Sequence, residues 1–305
     1  NIASEGSGIG YGIKRNYSEL LPQLGAKYQI DTNNQVFFSL AKNMKVPPNF
    51  VYATTGNVVV VNGVATMPVD VKAETSTNID LGYRLQSDKL TAQATVYSVD
   101  FRDRQATAYD PVSNTSSLTS VGKVATHGFE LELGNTPVNG FSFYGSIGYA
   151  KSEIKNDLLV STTDTVTKKV VIVPLPTGGK EMTLTPQKKA GLSAQYETAV
   201  WYTRLKAKYT GEQWATMTND ELVPAYTTLG FDAGYQFPNT GWMKKPTLRL
   251  SVSNLTNEQY RNPSSFNVTN AKTYGATATA QAAAKNVFYY LGAPRFTSIT
   301  LSADF

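Results

Sequence analysis

The only histidine in the 305-residue chain is His127, and there is no cysteine. A histidine-dependent triad has one place to be built, and multi-histidine or thiolate metal centres are excluded. His127 stands directly before Gly128 at the start of an alternating segment, where a structural role accounts for it. Glu130 and Glu132 are two residues apart, which puts both carboxylates on one side of a strand. Such a pair can share acid–base work, but the wet wall of a wide barrel requires the same pattern. Gly6-Ser7-Gly8-Ile9-Gly10-Tyr11-Gly12 lacks the spacing of a dinucleotide loop and no helical pattern follows it, so it reads as loop. The residues therefore predict no catalytic site, no cofactor and no metal site; the chain is not read as an enzyme.

Ligand capture is the chemistry that remains. Lys168, Lys169, Lys180, Arg261 and Arg295 fall in or beside long connections, as do Tyr274, Tyr289 and Tyr290. Cations there attract an anionic solute, and phenol rings stack on a ring or sugar. The lysines between 155 and 189 are interrupted by acidic residues, so no nucleic-acid partner is expected. A net charge of +5 is modest for this length and suits a mixed solvated surface. Asn254-Leu255-Thr256 matches a glycosylation sequon, a pattern short enough to arise by chance.

Positioning those side chains falls to strands. Period-two alternation recurs in runs of about 10 to 14 residues, the length with which a tilted strand crosses a bilayer. In Thr75–Leu85, Thr75, Thr77, Ile79, Leu81, Tyr83 and Leu85 share one face, while Ser76, Asn78, Asp80, Gly82 and Arg84 share the other. The same template predicts about eleven strands, near 20–30, 35–43, 74–86, 90–104, 122–134, 141–154, 184–197, 200–211, 224–237, 246–259 and 288–305. Helical periodicity is confined to Ala276–Lys285, a candidate short helix within a loop. No run approaches 18 apolar residues, so no transmembrane helix is expected.

Short and long connections alternate without a break. The short ones lie near 31–34, 87–89, 135–140, 197–199 and 238–245; the long ones near 44–73, 105–121, 155–183, 212–223 and 260–287. Antiparallel neighbours then gather every short turn at one end and every long loop at the other, the asymmetry of an outer-membrane barrel with periplasmic turns and extracellular loops. Tyr28, Tyr83, Phe141, Tyr196, Trp201, Tyr235, Phe237 and Phe305 fall near the short-turn end, Tyr149 and Tyr209 near the other, as two interfacial girdles require. The opposite face carries Glu74, Asp80, Arg84, Glu130, Glu132, Lys189, Asp232 and Arg249, so the lumen must be wet or filled by a polar domain. Eleven strands with an inward-running last strand imply that the chain begins in mid-barrel, with residues 1–17 the end of an extracellular loop lacking strand pattern.

Phe38–Phe50, Glu74–Tyr83, Gly128–Leu133, Val252–Tyr260 with its Asn-Leu-x-Asn-x-x-Tyr spacing, and Gly292-Ala293-Pro294-Arg295 before the final strand together resemble the C-terminal half of the barrel of TonB-dependent outer-membrane receptors. The resemblance covers nearly all of residues 1–305. It implies an all-β transmembrane antiparallel barrel in which this chain supplies strands 12 to 22 of 22. It further implies location in the Gram-negative cell outer membrane in contact with its lipid. Other expected partners are the TonB complex, reached through an N-terminal plug absent from this sequence, and the assembly machinery, reached through the last strand ending at Phe305. The implied activity is uptake of a scarce solute, foremost a ferric siderophore, with oligosaccharide or cobalamin as alternatives. A passive porin or a soluble all-β binding module is the competing class.

Overall fold

In the computed structural model, which describes residues 2–4, 11–13, 15–52, 59–61, 64–66, 72–110, 115–163, 170–264 and 287–304, the alternating segments form one antiparallel sheet of eleven strands. These are β1 (Gln23–Gln29), β2 (Asn34–Lys45), β3 (Glu74–Gln86), β4 (Leu90–Arg102), β5 (Val124–Asn135), β6 (Phe141–Ile154), β7 (Lys188–Glu197), β8 (Trp201–Thr210), β9 (Tyr226–Gln236), β10 (Lys244–Ser253) and β11 (Phe296–Asp304). Each pairs with its neighbours in sequence, so the sheet is an uninterrupted meander from β1 to β11. Among the described residues no helix is long and apolar enough to cross a membrane, which does not bear on crossing by strands.

Register turns the sequence alternation into two continuous faces. One row runs Gln29–Gln35–Arg84–Gln93–Glu132–Ser146 across β1 to β6. The Gln35 side-chain amide donates to Gln29 at 2.9 Å, and Arg84 Nε donates to Gln93 at 3.0 Å. Further along this polar face Arg204 Nε donates to Gln195 at 2.5 Å, Ser251 donates to Asp232 at 2.8 Å, and Lys206 sits 2.6 Å from the same carboxylate. The other face is apolar and uncovered: Ile299 and Leu301 are 72% and 71% exposed. A soluble barrel would point such side chains into its core, whereas here one face is polar and hydrogen-bonded and the other apolar and uncovered, the division of a membrane-spanning wall.

Aromatic rings collect at the short-turn end of the apolar face. Phe141 lies 4.4 Å from Tyr196, Tyr196 lies 5.2 Å from Trp201, and Tyr235 lies 4.7 Å from Phe237, centroid to centroid. Trp201 is in register with Tyr235, which makes the band continuous across β6 to β9. Phe129 and Tyr149 stack at 5.9 Å towards the opposite end.

Four expectations change. The strand near 246–259 stops at Ser253, because Asn254 and Asn257 take positive φ (47° and 55°) and turn the chain. The last segment is not one strand from 288: Tyr289–Leu291 pairs with Arg261–Pro263 in a separate two-stranded sheet, and the wall strand begins at Phe296. The strand expected from 184 begins at Lys188, since Leu184 also has positive φ (60°). The amino-terminal segment carries a hairpin, Ile2–Ser4 with Tyr11–Ile13, where glycine-rich spacing had hidden any alternation. The candidate helix at 276–285 and Phe305 lie outside the described residues.

Candidate functional site

Buried apolar side chains of the described residues gather at the long-loop end. Val121, Val124, Ile154, Leu158, Leu175, Met182 and Met217 form one cluster, with Phe101 and Ala106 packed against it. The wall itself has no comparable interior, because one face is wet and the other meets lipid. The loops therefore have their own core, and burial of this kind stabilises by about 1.5–3 kcal/mol per large side chain.

Five connections take part: L1 (46–73), L2 (103–123), L3 (155–187), L4 (211–225) and L5 (254–295). L1 and L2 are stapled by Gln105. Its backbone N–H donates to the Glu74 carboxylate at 2.7 Å and its side-chain amide to the carbonyls of Lys45 and Lys72 at 3.2 and 3.1 Å. Arg104 lies 4.0 Å over the Phe101 ring; burial presses its guanidinium below the ordinary value, and Glu74 works against that. L2 and L3 share the apolar cluster, and the Asn156 side chain accepts from the Lys123 N–H at 2.7 Å. L3 and L4 exchange two bonds through Asn219, which accepts from the Glu181 N–H at 2.7 Å and donates to its carbonyl at 2.9 Å.

L4 and L5 are joined by a polar latch. The Tyr289 hydroxyl donates to Glu221 at 2.5 Å, Arg261 reaches the same oxygen at 3.7 Å, and its guanidinium lies 4.3 Å over the Tyr289 ring. Burial first, and then the Glu221 carboxylate, push the Tyr289 phenol up to about 12. Beside the latch Tyr226 stacks on Tyr260 at 4.1 Å and donates to Asn262 at 3.1 Å. Gly292 lies against the Tyr260 ring so closely that a Cβ would come within 2.5 Å of it.

The asparagines of the Asn254–Asn257 turn anchor the return to β11. The Asn254 side chain donates to the carbonyls of Glu258 and Ala293, both at 2.9 Å, and accepts from the Glu258 N–H at 2.8 Å. Asn257 accepts from the Arg295 N–H at 2.9 Å. Asn254 is buried with its amide engaged, which leaves no room for a glycan at this sequon. Sequence reasoning placed this motif inside a strand; the signal that marks a turn is the pair of asparagines, the residue type that most readily takes positive φ after glycine.

Of the side chains singled out for ligand capture, Lys180, Tyr290 and Arg295 are exposed on this end of the molecule. Arg261 and Tyr289 are held together in the latch. Lys168, Lys169 and Tyr274 lie outside the described residues. Sequence reasoning missed Glu221, Gln105 and Asn219, which join the loops and carry no local motif. Among the described residues no group of three or more His, Asp or Glu side chains is placed to hold a metal ion.

A wall with one wet and one apolar face, short turns at one end and a packed loop belt at the other has a counterpart among known families. Residues 3–255 match the family model described as TonB dependent receptor-like, beta-barrel. The chain belongs to the TonB-dependent receptor β-barrel family. The family is one of Gram-negative outer-membrane proteins, and that membrane is the chain's location. The solved structures agree on the fold. The ferric yersiniabactin uptake receptor FyuA from Yersinia pestis matches 93% of this chain and 37% of its own, with TM-score 0.63 and 22% identity. The siderophore receptor PiuA from Acinetobacter baumannii matches 92% of this chain and 35% of its own, with TM-score 0.62 and 17% identity. The copper transporter OprC matches 93% and 39%, with TM-score 0.63 and 15% identity. The chain thus spans less than two-fifths of the length of these receptors. A search of curated proteins found no match.

Proposed function

We propose that this TonB-dependent receptor segment supplies part of the lumen wall and extracellular vestibule of an importer whose cargo is a ferric siderophore. In this reading the cargo is captured above the barrel, and the TonB complex drives its passage by acting on a plug domain encoded elsewhere in the receptor. The observation that carries the reading is the loop belt: five extracellular connections packed into one body at the mouth of a polar lumen. A pre-ordered mouth binds without having to order its loops first. Lys180 and Arg295 supply positive charge for an anionic chelate, and the exposed ring of Tyr290 supplies a stacking surface. Lys168, Lys169 and Tyr274 belong to the same proposal. Arg261 and Tyr289 serve it by holding L4 to L5. The ferric yersiniabactin uptake receptor and the siderophore receptor PiuA, both similar in fold, support this cargo class.

The full-length receptor, refolded in detergent, is titrated with a panel of ferric siderophores alongside cobalamin and an oligosaccharide. Saturable binding of a ferric siderophore, weakened about tenfold or more by Lys180→Ala with Arg295→Ala, is expected, since each lost hydrogen bond to a charged group costs about 1.5–3 kcal/mol. Saturation by cobalamin or the oligosaccharide alone, or unchanged affinity in the double variant, overturns the reading.

A further inference from the structure

On the lumen face the glycines of the wall divide into two kinds. Gly82, Gly128 and Gly234 are each covered by a ring from the next strand, Phe37, Tyr97 and Tyr202. Gly148 on β6 and Gly191 on β7 are not. A Cβ on Gly148 would meet nothing nearer than 3.9 Å, and one on Gly191 would meet the Ser146 hydroxyl alone, at 3.0 Å. With Ser146 and Ser193 these two glycines floor a recess of about 430 Å³. Tyr144 bounds it towards the short-turn end, its phenol beside Glu132 and Ser146.

Register gives the recess two charged sides. Glu130 is opposite Gly148, which is opposite Lys189; Glu132 is opposite Ser146, then Gly191, then Lys208. At about 4.8 Å between strands, the acidic and basic residues of the two rows stand about 10 and 14 Å apart. Lys206 joins the basic side opposite Ser193, with its ammonium held by Asp232. Lys189, Lys208, Glu130 and Glu132 make no ion pair among the described residues. All four are exposed. The carboxylates have phenols as neighbours, Tyr97 for Glu130 and Tyr144 for both.

A packed protein surface is a poor occupant of such a recess. The floor offers no ring or aliphatic side chain to pack against, and sealing four unpaired charges under protein carries a desolvation cost that only matched partners offset. A hydrated polar solute meets both charged sides while water stays on its free groups. We infer that the recess is a second binding site for the cargo, on the lumen wall below the loop belt, for a solute with anionic oxygens at one end and ammonium or amide donors about 10 Å away. Lys189 and Lys208 take the anionic end, Glu130 and Glu132 take the donors, and the bare backbone of Gly148 and Gly191 lets the body of the solute lie flat on the wall. The inference rests on the importer reading above, which it deepens by naming the charge pattern of the cargo and a site apart from the mouth.

Two measurements on the full-length receptor in whole cells keep the inference separable from that reading. The chain has no cysteine, so Ser193→Cys can be treated with a sulfonate and with a trimethylammonium methanethiosulfonate, the receptor without the added thiol serving as blank. Modification about tenfold faster by the sulfonate is expected, a preference abolished by Lys189→Gln with Lys208→Gln. An unreactive thiol would mean that a protein segment fills the recess, and equal rates that the wall exerts no field there; either overturns the inference whatever the cargo. The second measurement follows uptake of iron-loaded siderophores at concentrations that saturate surface binding, where the same double variant should import about tenfold more slowly. Uptake at the wild-type rate by the double variant overturns the inference and leaves the importer reading standing. Absence of any siderophore binding sinks the importer reading and with it the cargo assigned to the recess.

Discussion

Asn254 ends β10 with its side chain as much as with its backbone. One amide satisfies two carbonyls from the chain segments that leave and re-enter the wall, and its oxygen caps a third backbone group. Asn254→Ala leaves those groups buried without partners and asks alanine to hold a positive φ, so a loss of about 2–4 kcal/mol is expected. The urea midpoint of the refolded full-length receptor reads it; an unchanged midpoint would mean that the turn is held from elsewhere. Tyr289 gives a second expectation. Its phenol is raised to about 12 in the folded protein against an ordinary value near 10. A raised value means that the latch contributes fully below about pH 10 and is lost as pH climbs through about 12. Alkaline titration followed by loop-specific proteolysis should show L5 becoming cleavable in that window, and Glu221→Gln should move the window down towards pH 10. Cleavage independent of pH would remove Tyr289 from the latch. Asp31, in the turn between β1 and β2, runs the other way: bonds from the Asn33 N–H and the Asn34 side chain hold its carboxyl below the ordinary value, so that its contribution is present at neutral pH and lost in acid.

Strands of the wall interlock through glycines on the lumen face. A Cβ on Gly128 would lie 2.4 Å from the Tyr149 carbonyl and 2.5 Å from the Tyr97 ring; one on Gly82 would lie 2.2 Å from Phe37, and one on Gly234 2.3 Å from Tyr202. In each pair a ring on one strand covers a glycine on the next, which keeps large aromatic surface off the open lumen and pins the register. Gly148, two positions along the same face, has nothing nearer than 3.9 Å. Gly128→Ala is expected to cost about 1–3 kcal/mol because a backbone carbonyl cannot move aside, while Gly148→Ala should stay within about 0.5 kcal/mol. Comparison of the temperatures at which the two variants lose their heat-resistant electrophoretic band decides it, and equal losses would refute the interlock.

As a whole, the sheet has two edges, since β1 and β11 each pair on one side only among the described residues. Eleven strands with open edges and an uncovered apolar face are not a stable unit in water. Residues 1–305 expressed alone should aggregate, and in detergent should give no heat-modifiable band. A monodisperse species without detergent would contradict the membrane assignment of the apolar face.

The sequence by itself determined the wall. Strand positions, the two faces and the separation of short turns from long loops were legible because strand alternation is local: each residue's side is set by its neighbours two positions away. Thr75–Leu85 and Thr227–Phe237 reproduce their expected faces, and the last strand starts later than expected, at Phe296. What only the tertiary structure decided lies in the loops. Gln105 finds the carbonyl of Lys45, Asn219 finds Glu181, and Tyr289 finds Glu221 across separations of 60, 38 and 68 residues. No periodicity encodes such meetings, because each depends on the paths of two connections together. Arg261 and Tyr289 read in isolation as free binding groups for that reason, and became a latch once the partner loop was in place.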